Sequence, residues 1–173
     1  MDFSAVRLLF ISKDGAEKGS GNFRLPPLGP NQALRPYQVP AYQKALRCID
    51  KKSGFLLADE MGVGKTKTVL GVLSYMQSTN PDYLSIVAVP LSLIQTWREQ
   101  AKEFCPDLKI DVVKSGDNVA FLEENMETEG DWRQVILVNH HTLQNHTSTF
   151  QNIARCVCSF RNHKTETDTI KFQ

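Results

Sequence analysis

One short segment contains the residue types that hold phosphate groups in proteins. The sequence "LLADEMGVGKTKTVL", residues 56–70, passes from an apolar run through two acids to a Gly-Val-Gly-Lys-Thr turn and then to a helical pattern. A turn between the end of a strand and the start of a helix exposes unpaired backbone N–H groups. Glycines let that backbone curve around an anion, and the helix dipole favours negative charge there. The segment is therefore predicted to bind phosphate.

Within this turn each residue type has a separate predicted role. Gly62 and Gly64 shape the cradle, Lys65 reaches the outer phosphates, and the Thr66 hydroxyl binds Mg²⁺. The usual phosphate-loop pattern begins with glycine, whereas this sequence has Asp59 at that position. The flanking context is the one the pattern requires, because an apolar strand is predicted before it and an amphipathic helix after it. The alternative is a plain strand-to-helix connection that contains these residues by coincidence.

The elements that position this turn are short apolar runs that alternate with helical patterns. We predict helices within 34–49, 65–77, 91–104 and the acidic stretch 117–131, and strands at 54–58, 85–90, 109–115 and 134–140. Strands of four to seven residues separated by helices are typical of βαβ units and of a parallel, doubly wound sheet. The predicted fold class is therefore α/β, a three-layer sandwich with a mainly parallel sheet.

Apolar residues at helical spacing predict the buried face of three of these helices. They are Tyr42, Leu46 and Ile49 in the first, Val69, Val72, Leu73 and Met76 in the second, and Ile94, Trp97, Ala101 and Phe104 in the third.

The composition sets wider bounds. The chain has 173 residues, 41% of them hydrophobic, which is enough for one domain with a core. Lys plus Arg number 20 and Asp plus Glu number 19, so the net charge of +1 neither indicates nor excludes nucleic acid. Four cysteines without a CxxC pair fit a reducing compartment. We expect no secretory signal and no membrane span, and hence no membrane partner.

The phosphate-binding segment resembles the nucleotide loop, of Walker A type, in Swi/Snf-type helicase-like ATPases, the DNA translocases of superfamily 2. Further segments resemble other motifs of that family in the same order: "LRPYQ" (34–38), "VPLSLIQTWREQAKEF" (89–104), "DVVKSG" (111–116) and "VILVNHHTL" (135–143). The resemblance implies a RecA-like, P-loop NTPase fold that is incomplete in this chain. It divides the chain into an irregular leader (1–33), the N-terminal part of a helicase ATP-binding lobe (34–150) and a divergent or frayed tail (151–173).

The same resemblance implies the ligands and their residues. It implies ATP and Mg²⁺ as cofactors, contact of Gln38 with the base, DNA lying along residues 89–104, and a nuclear location. DNA binding by this chain is expected to be weak or partial. The predicted nucleotide-binding residues are Gln38, Asp59, Glu60, Met61, Gly62, Val63, Gly64, Lys65 and Thr66, with Thr66 also as the Mg²⁺ ligand. Asp59 and Glu60 suit either of two roles, ordering the loop or forming a salt bridge.

Hydrolysis of ATP needs further groups. A second acidic strand end must hold the metal, a side chain must orient the water, and an arginine finger is usual. In the resembled family an Asp-Glu-Ala-His-like box and a second lobe supply these groups, and this sequence contains neither. Asn139, His140 and His141 follow the strand that aligns before the box. We therefore predict a lobe that binds ATP and has negligible turnover alone.

Two other functions compete with this interpretation. The first is a non-catalytic nucleotide-binding module, or regulatory fragment, that binds a partner protein. The second is an unrelated phosphate-loop enzyme such as a small kinase, which would phosphorylate an acceptor without any need for DNA.

Overall fold

Strands and helices alternate along most of the chain, as the sequence predicts. The computed structural model describes residues 7–10, 23–30, 32–51, 53–80, 83–113 and 134–152. In chain order the elements are β1 (Arg7–Phe10), α1 (Val39–Asp50), α2 (Lys65–Thr79), β2 (Leu84–Val89), a 3₁₀ turn (Leu91–Leu93), α3 (Ile94–Phe104), β3 (Ile110–Val113), β4 (Gln134–Asn139) and α4 (His140–Asn145).

The four strands form one sheet in the order β1-β2-β4-β3. β4 lies in the middle and pairs in parallel with both neighbours, so that Leu137 aligns with Val87 of β2 and with Val112 of β3. β1 pairs antiparallel with β2 at the edge. All six residues of β2 are buried, as expected for a parallel strand with helices on both faces. The mainly parallel sheet of the predicted fold class is confirmed.

Helices cover both faces of this sheet. On one face α2 and α3 pack through Leu73 and Trp97 against Val87 and Leu137. Burying each such side chain stabilises the fold by about 1.5–3 kcal/mol. On the other face a separate apolar cluster includes Phe150, with Leu143 of α4 packed against it. Its strand residues are Leu84, Ile86, Ala88, Val113, Ile136 and Val138. The predicted three layers are therefore present in the described residues.

The predicted apolar faces match the buried residues. Tyr42, Leu46 and Ile49 of α1 are buried against Val72 of α2. Val69, Val72, Leu73, Ile94, Trp97 and Ala101 are also buried, while Met76 and Phe104 are half-buried. The predicted helix in 117–131 lies outside the described residues, as does the end of the predicted strand 109–115. Among the described residues, no helix is both long enough and apolar enough to span a bilayer.

Residues 23–30 and 32–37, here called the strap, run across α2 without forming a helix or strand. The Ser74 hydroxyl donates to the Pro27 carbonyl oxygen at 2.7 Å, and the Tyr42 hydroxyl donates to the Arg24 carbonyl oxygen at 2.8 Å. A Cβ on Gly71 would lie 3.2 Å from Pro26 Cγ, so the glycine lets the strap lie close to the helix. Residues 23–30 of the predicted leader are thus packed against the core.

Two differences from the sequence expectation concern strands. The sequence predicts an irregular range 1–33, yet β1 lies within it because its backbone pairs with β2. The predicted strand 54–58 is wrong, since residues 53–60 have no regular structure. The Leu56 side chain is 82% exposed, while Phe55 and Leu57 are half-buried against different apolar clusters. The side chains alternate as in a strand, but no described strand hydrogen-bonds to this segment.

Candidate functional site

The phosphate loop, residues 59–66, takes its shape from two glycines with left-handed backbone. Gly62 has φ of 83° and Gly64 has φ of 84°, a backbone conformation that residues with a Cβ rarely adopt. A Cβ on Gly62 would meet nothing within 4 Å, so Gly62 is required for its backbone alone. A Cβ on Gly64 would also lie 2.6 Å from Gln38 Nε2. Gly64 is therefore required for its backbone and for the space beside it.

α2 begins directly after this loop with an open N-terminus. Gly64 is the N-cap, no side chain caps the helix, and no acid lies in its first turn. The first donor of the helix is Thr68 N, which bonds to the Gly64 carbonyl oxygen at 3.2 Å. Within the described part of the chain, the N–H groups of Lys65, Thr66 and Lys67 have no partner. These unpaired donors and the positive end of the helix dipole suit an anion.

The Lys65 side chain folds back over the loop that precedes it. Its Nζ donates to the carbonyl oxygens of Asp59 at 2.8 Å and Glu60 at 2.9 Å. Both acidic residues thus contact the lysine through their backbone. Neither of their carboxylates forms an ion pair with any described residue. Two neutral carbonyl oxygens hold the ammonium group. Negatively charged phosphate oxygens bind an ammonium group more strongly, so they can take the place of these carbonyls.

Gln38 lies against the loop, just before α1 begins. Its side chain is 4% exposed, and its Nε2 donates to the carbonyl oxygens of Val63 and Gly64, at 3.1 Å each. Its Oε1 accepts from Arg35 N at 2.9 Å. Both amide hydrogens and the oxygen are therefore in use. The structure brings the predicted base-contacting residue to the loop, where it holds the backbone; contact with a base stays a prediction.

Tyr37 is a loop contact that the sequence interpretation missed. Its hydroxyl donates to the Val63 carbonyl oxygen at 3.2 Å and lies 3.5 Å from Arg35 Nη1, which donates to it. Its ring is 53% exposed. The available signal was an aromatic residue directly before Gln38, in the segment that precedes α1.

Comparison with known proteins decides what this site belongs to. The SNF2-related domain family matches residues 37–160 of the chain, a range that contains the phosphate loop and Gln38. The chain belongs to the SNF2-related family. This confirms the resemblance seen in the sequence motifs, and the RecA-like fold class predicted with it.

Two relatives show how far the similarity extends. The chromodomain-helicase-DNA-binding protein 1-like of Danio rerio is 32% identical over 130 residues, which are 72% of this chain and 12% of that protein. The ISWI chromatin-remodeling complex ATPase CHR17 of Arabidopsis thaliana is 25% identical over 171 residues, covering 83% of this chain and 16% of that protein. This SNF2-related chain thus spans less than a fifth of either relative.

A solved structure is also similar. It is the Sulfolobus solfataricus SWI2/SNF2 ATPase core in complex with dsDNA, with a TM-score of 0.49 and 28% sequence identity. The match covers 65% of this chain and 22% of that chain.

The remaining predicted ligand residues of the SNF2-related loop are accessible. Thr66 is half-buried at the start of α2, and its hydroxyl has no hydrogen-bond partner among the described residues. Met61 is exposed and Val63 is half-buried. Clusters of three or more His, Cys, Asp or Glu suited to a metal do not occur in the described residues. The donors at this site are backbone N–H groups, one ammonium and one hydroxyl, a set that fits a phosphate chain with its Mg²⁺.

On α3, the predicted buried role of Trp97 is confirmed, because its side chain packs in the main apolar cluster. Thr96 and Lys102 are exposed and Arg98 is half-buried. Cys105, which follows α3, is buried, and this burial raises the pKa of its thiol to about 11. A thiol with so high a pKa stays protonated near neutral pH.

Proposed function

We propose that this SNF2-related lobe binds ATP together with Mg²⁺ at the phosphate loop. The observation that carries the proposal is the open start of α2, with unpaired N–H groups on one side and the Lys65 ammonium on the other. Both features attract a phosphate chain, and both converge on the same loop. The family match supports nucleotide use by this domain.

The backbone and the side chains of the loop have separate roles in this proposal. Backbone N–H groups of residues 62–66 bind phosphate oxygens, and Lys65 moves from the carbonyls of Asp59 and Glu60 to the outer phosphates. The Thr66 hydroxyl is a ligand of Mg²⁺. When bound, the metal ion neutralises part of the phosphate charge. Gln38 keeps the loop in place through its bonds to Val63 and Gly64.

We further propose that this chain alone turns over ATP negligibly. The 173 residues of this sequence contain no Asp-Glu-Ala-His-like box. The polar residues at the end of β4 are engaged locally: Asn139 Oδ1 accepts from Thr142 N at 2.8 Å, and His140 Nε2 lies 3.3 Å from the Ala88 carbonyl oxygen. They do not supply a free carboxylate for a metal. An arginine finger, which in the resembled family comes from a second lobe, contributes roughly 10³–10⁵ to the rate in related chemistry.

The wider role we propose is that of an ATPase lobe in a nuclear, DNA-dependent enzyme that remodels protein–DNA complexes. The names of the relatives, a chromodomain-helicase-DNA-binding protein and a chromatin-remodeling ATPase, support this proposal. Exposed polar residues on α3, such as Thr96 and Lys102, would give the lobe part of a DNA surface. Such contacts to phosphates weaken as the salt concentration rises. Cell fractionation with an antibody to the chain tests the nuclear location.

Thermal unfolding with and without Mg·ATP tests the binding proposal. At a ligand concentration about 100 times Kd, binding adds about 2.7 kcal/mol of stability, which raises Tm by roughly 5–10 °C in a chain of this size. We expect this rise for the wild type and for the control Lys102→Ala, whose lysine is exposed on α3. We expect none for Lys65→Ala. Equal melting of all three at every ATP concentration contradicts the proposal.

Phosphate release measured with and without duplex DNA tests the turnover proposal separately. We expect release no faster than that of a buffer blank in both cases. DNA-stimulated release from this chain alone contradicts the proposed lack of turnover while leaving ATP binding intact. Phosphorylation of a small acceptor without DNA would instead indicate a kinase.

A further inference from the structure

The Lys67 side chain joins the start of α2 to two other parts of the lobe. Lys67 is in the first turn of α2 and directly follows Thr66. Its Nζ donates to Gln32 Oε1 of the strap at 3.0 Å and lies 4.5 Å from the centre of the Phe104 ring at the end of α3. An aromatic face and an amide oxygen both attract positive charge. The ammonium group is therefore held by the strap and by α3 at once.

The two partners of Lys67 are attached to each other. The Phe104 ring contacts the ammonium directly, and the Phe104 carbonyl oxygen accepts from Gly29 N at 2.8 Å. The Gly29 carbonyl oxygen in turn accepts from Gln32 N at 3.0 Å. A Cβ on Gly29 would lie 3.0 Å from Pro106 Cδ, so this turn of the strap lies directly against the end of α3. The partners form one unit, and Lys67 attaches α2 to it.

Lys67 occupies a position where a cation is normally unfavourable. The N-terminus of a helix is its positive end, yet the first turn of α2 contains Lys65 and Lys67 and no acid. The Lys65 ammonium folds back over the loop, whereas the Lys67 ammonium bonds to the strap. A phosphate chain at the helix start would compensate both charges. The contacts of Lys67 and an anion at the loop therefore stabilise the same helical turn.

This turn carries the groups that are proposed to bind phosphate. Within the described chain the N–H groups of Lys65, Thr66 and Lys67 have no partner. A hydrogen bond requires its donor within a narrow range of distance and angle. Because Lys67 is held from the side, these donors and the Thr66 hydroxyl are fixed in place before the ligand arrives. Such preorganisation lowers the entropy cost of binding.

We propose that Lys67 is a positioning residue for the phosphate site: through Gln32 and Phe104 it holds the first turn of α2 in the orientation that binds the triphosphate. The Lys67 ammonium itself does not touch the phosphates. This inference rests on the proposed nucleotide binding and deepens it. Because Lys67 acts on the phosphate end of the ligand, it affects tripolyphosphate, which has no base, as much as ATP.

The test measures the affinities of Mg·ATP and Mg·tripolyphosphate by calorimetry. Lys67→Met keeps the length and the apolar stem of the side chain but removes the ammonium, so we expect both affinities to fall by about threefold to tenfold. Lys67→Arg keeps a cation that can stack on the Phe104 ring and donate to Gln32. We expect it to bind both ligands within about twofold of the wild type.

Lys44→Met is the matched control. The Lys44 Nζ also lies over a phenylalanine ring, 6.0 Å from the centre of Phe55, but Lys44 is at an exposed position of α1. We expect this variant to leave both affinities unchanged.

Gln32→Leu separates positioning from a simple effect of charge, because it removes the bond to Lys67 and leaves the ammonium in place. If Lys67 positions the helix, Gln32→Leu lowers both affinities too, by a smaller factor since the Phe104 contact remains. Adding it to Lys67→Met then causes no further loss, because both changes break the same connection. If Gln32→Leu binds both ligands like the wild type, the positioning role is overturned, and this holds even if Lys67→Met fails to fold.

The outcomes separate this inference from the proposed function. If the wild type and Lys67→Met bind both ligands equally well, the positioning role is wrong and nucleotide binding stands. A loss of ATP affinity without a loss of tripolyphosphate affinity in Lys67→Met also overturns it, as does a loss in Lys67→Arg as large as that in Lys67→Met. If the wild type binds neither ligand, both proposals are wrong.

Discussion

Gln38 and Gly64 touch so closely that each restricts the other. Gln38 Nε2 donates to the Gly64 carbonyl oxygen at 3.1 Å, and a Cβ on Gly64 would lie 2.6 Å from the same nitrogen. The two residues are separated by 26 positions in the sequence. Their contact joins the segment before α1 to the phosphate loop, so the position of the loop depends on a side chain outside it.

This contact predicts unequal effects of alanine at the two loop glycines. Gly62→Ala should lower the unfolding free energy by about 1–2 kcal/mol, which is the cost of a left-handed backbone for a residue with a Cβ. No steric cost is added, because nothing lies within 4 Å of that Cβ. Gly64→Ala loses a similar amount and also displaces Gln38, so we expect at least about 1 kcal/mol more. Urea unfolding of both variants measures the difference.

A third variant provides the control. In a Gln38→Ala background the clash is gone, and the two glycine variants should then destabilise equally. A difference that persists in that background shows that Gln38 is not its cause. Gly54→Ala, at a position with ordinary φ and nothing within 4 Å of the Cβ, should leave stability nearly unchanged.

The buried amide of Gln38 leads to a second prediction. Gln38→Glu keeps the shape of the side chain but replaces the donor Nε2 by a carboxylate oxygen that faces the carbonyls of Val63 and Gly64. Because the site is 4% exposed, we expect a loss of more than about 3 kcal/mol of unfolding free energy. Gln144→Glu makes the same substitution at an exposed position of α4 and should lower the unfolding free energy by less than about 0.5 kcal/mol. Chemical denaturation compares the two, and equal stability would mean that the amide is not held as described.

The strap gives a third prediction. Ser74 is buried and its hydroxyl donates to the Pro27 carbonyl oxygen at 2.7 Å, whereas the exposed Ser78 donates to Tyr75 O of its own helix at 2.8 Å. Ser74→Ala leaves the Pro27 carbonyl without its donor and should cost about 0.5–1.5 kcal/mol. Ser78→Ala should be nearly neutral, since water replaces the bond. Limited proteolysis should also cut the strap faster in Ser74→Ala, and equal rates in both variants would contradict this role of the strap.

The sequence predicts the features of this structure that depend on residues close together in the chain. The faces of α1, α2 and α3 follow from apolar residues three or four positions apart, and buried β2 and β4 follow from short apolar runs, so periodicity alone finds them. The left-handed glycines and the helix start at Lys65 are also local. The contacts of Gln38 with Val63 and Gly64 join distant parts of the chain, and the family resemblance places Gln38 near the nucleotide without indicating that its amide holds the loop.

In the segment 54–58 the sequence predicts a strand that the structure does not contain. Its composition is that of a buried strand, with apolar residues bounded by a glycine, but a strand also needs a hydrogen-bonded neighbour. The sequence of the segment carries no information on whether that neighbour is present. β1 illustrates the same point, because Arg7–Phe10 become a strand through pairing with β2 rather than through their own pattern.

The unpaired segment leads to the last prediction. The Leu56 side chain is 82% exposed, next to a backbone that hydrogen-bonds to no described strand, and such an extended apolar segment is prone to pair with another chain. Leu56→Lys adds a charge there without removing a buried contact, so it should reduce association at high concentration while leaving the unfolding free energy within about 0.5 kcal/mol of wild type. Light scattering as a function of concentration measures the first effect and urea unfolding the second. Leu25→Lys, which changes an exposed leucine of the strap in the same way, controls for net charge. If both variants reduce association equally, the added charge rather than the 54–58 segment accounts for the effect.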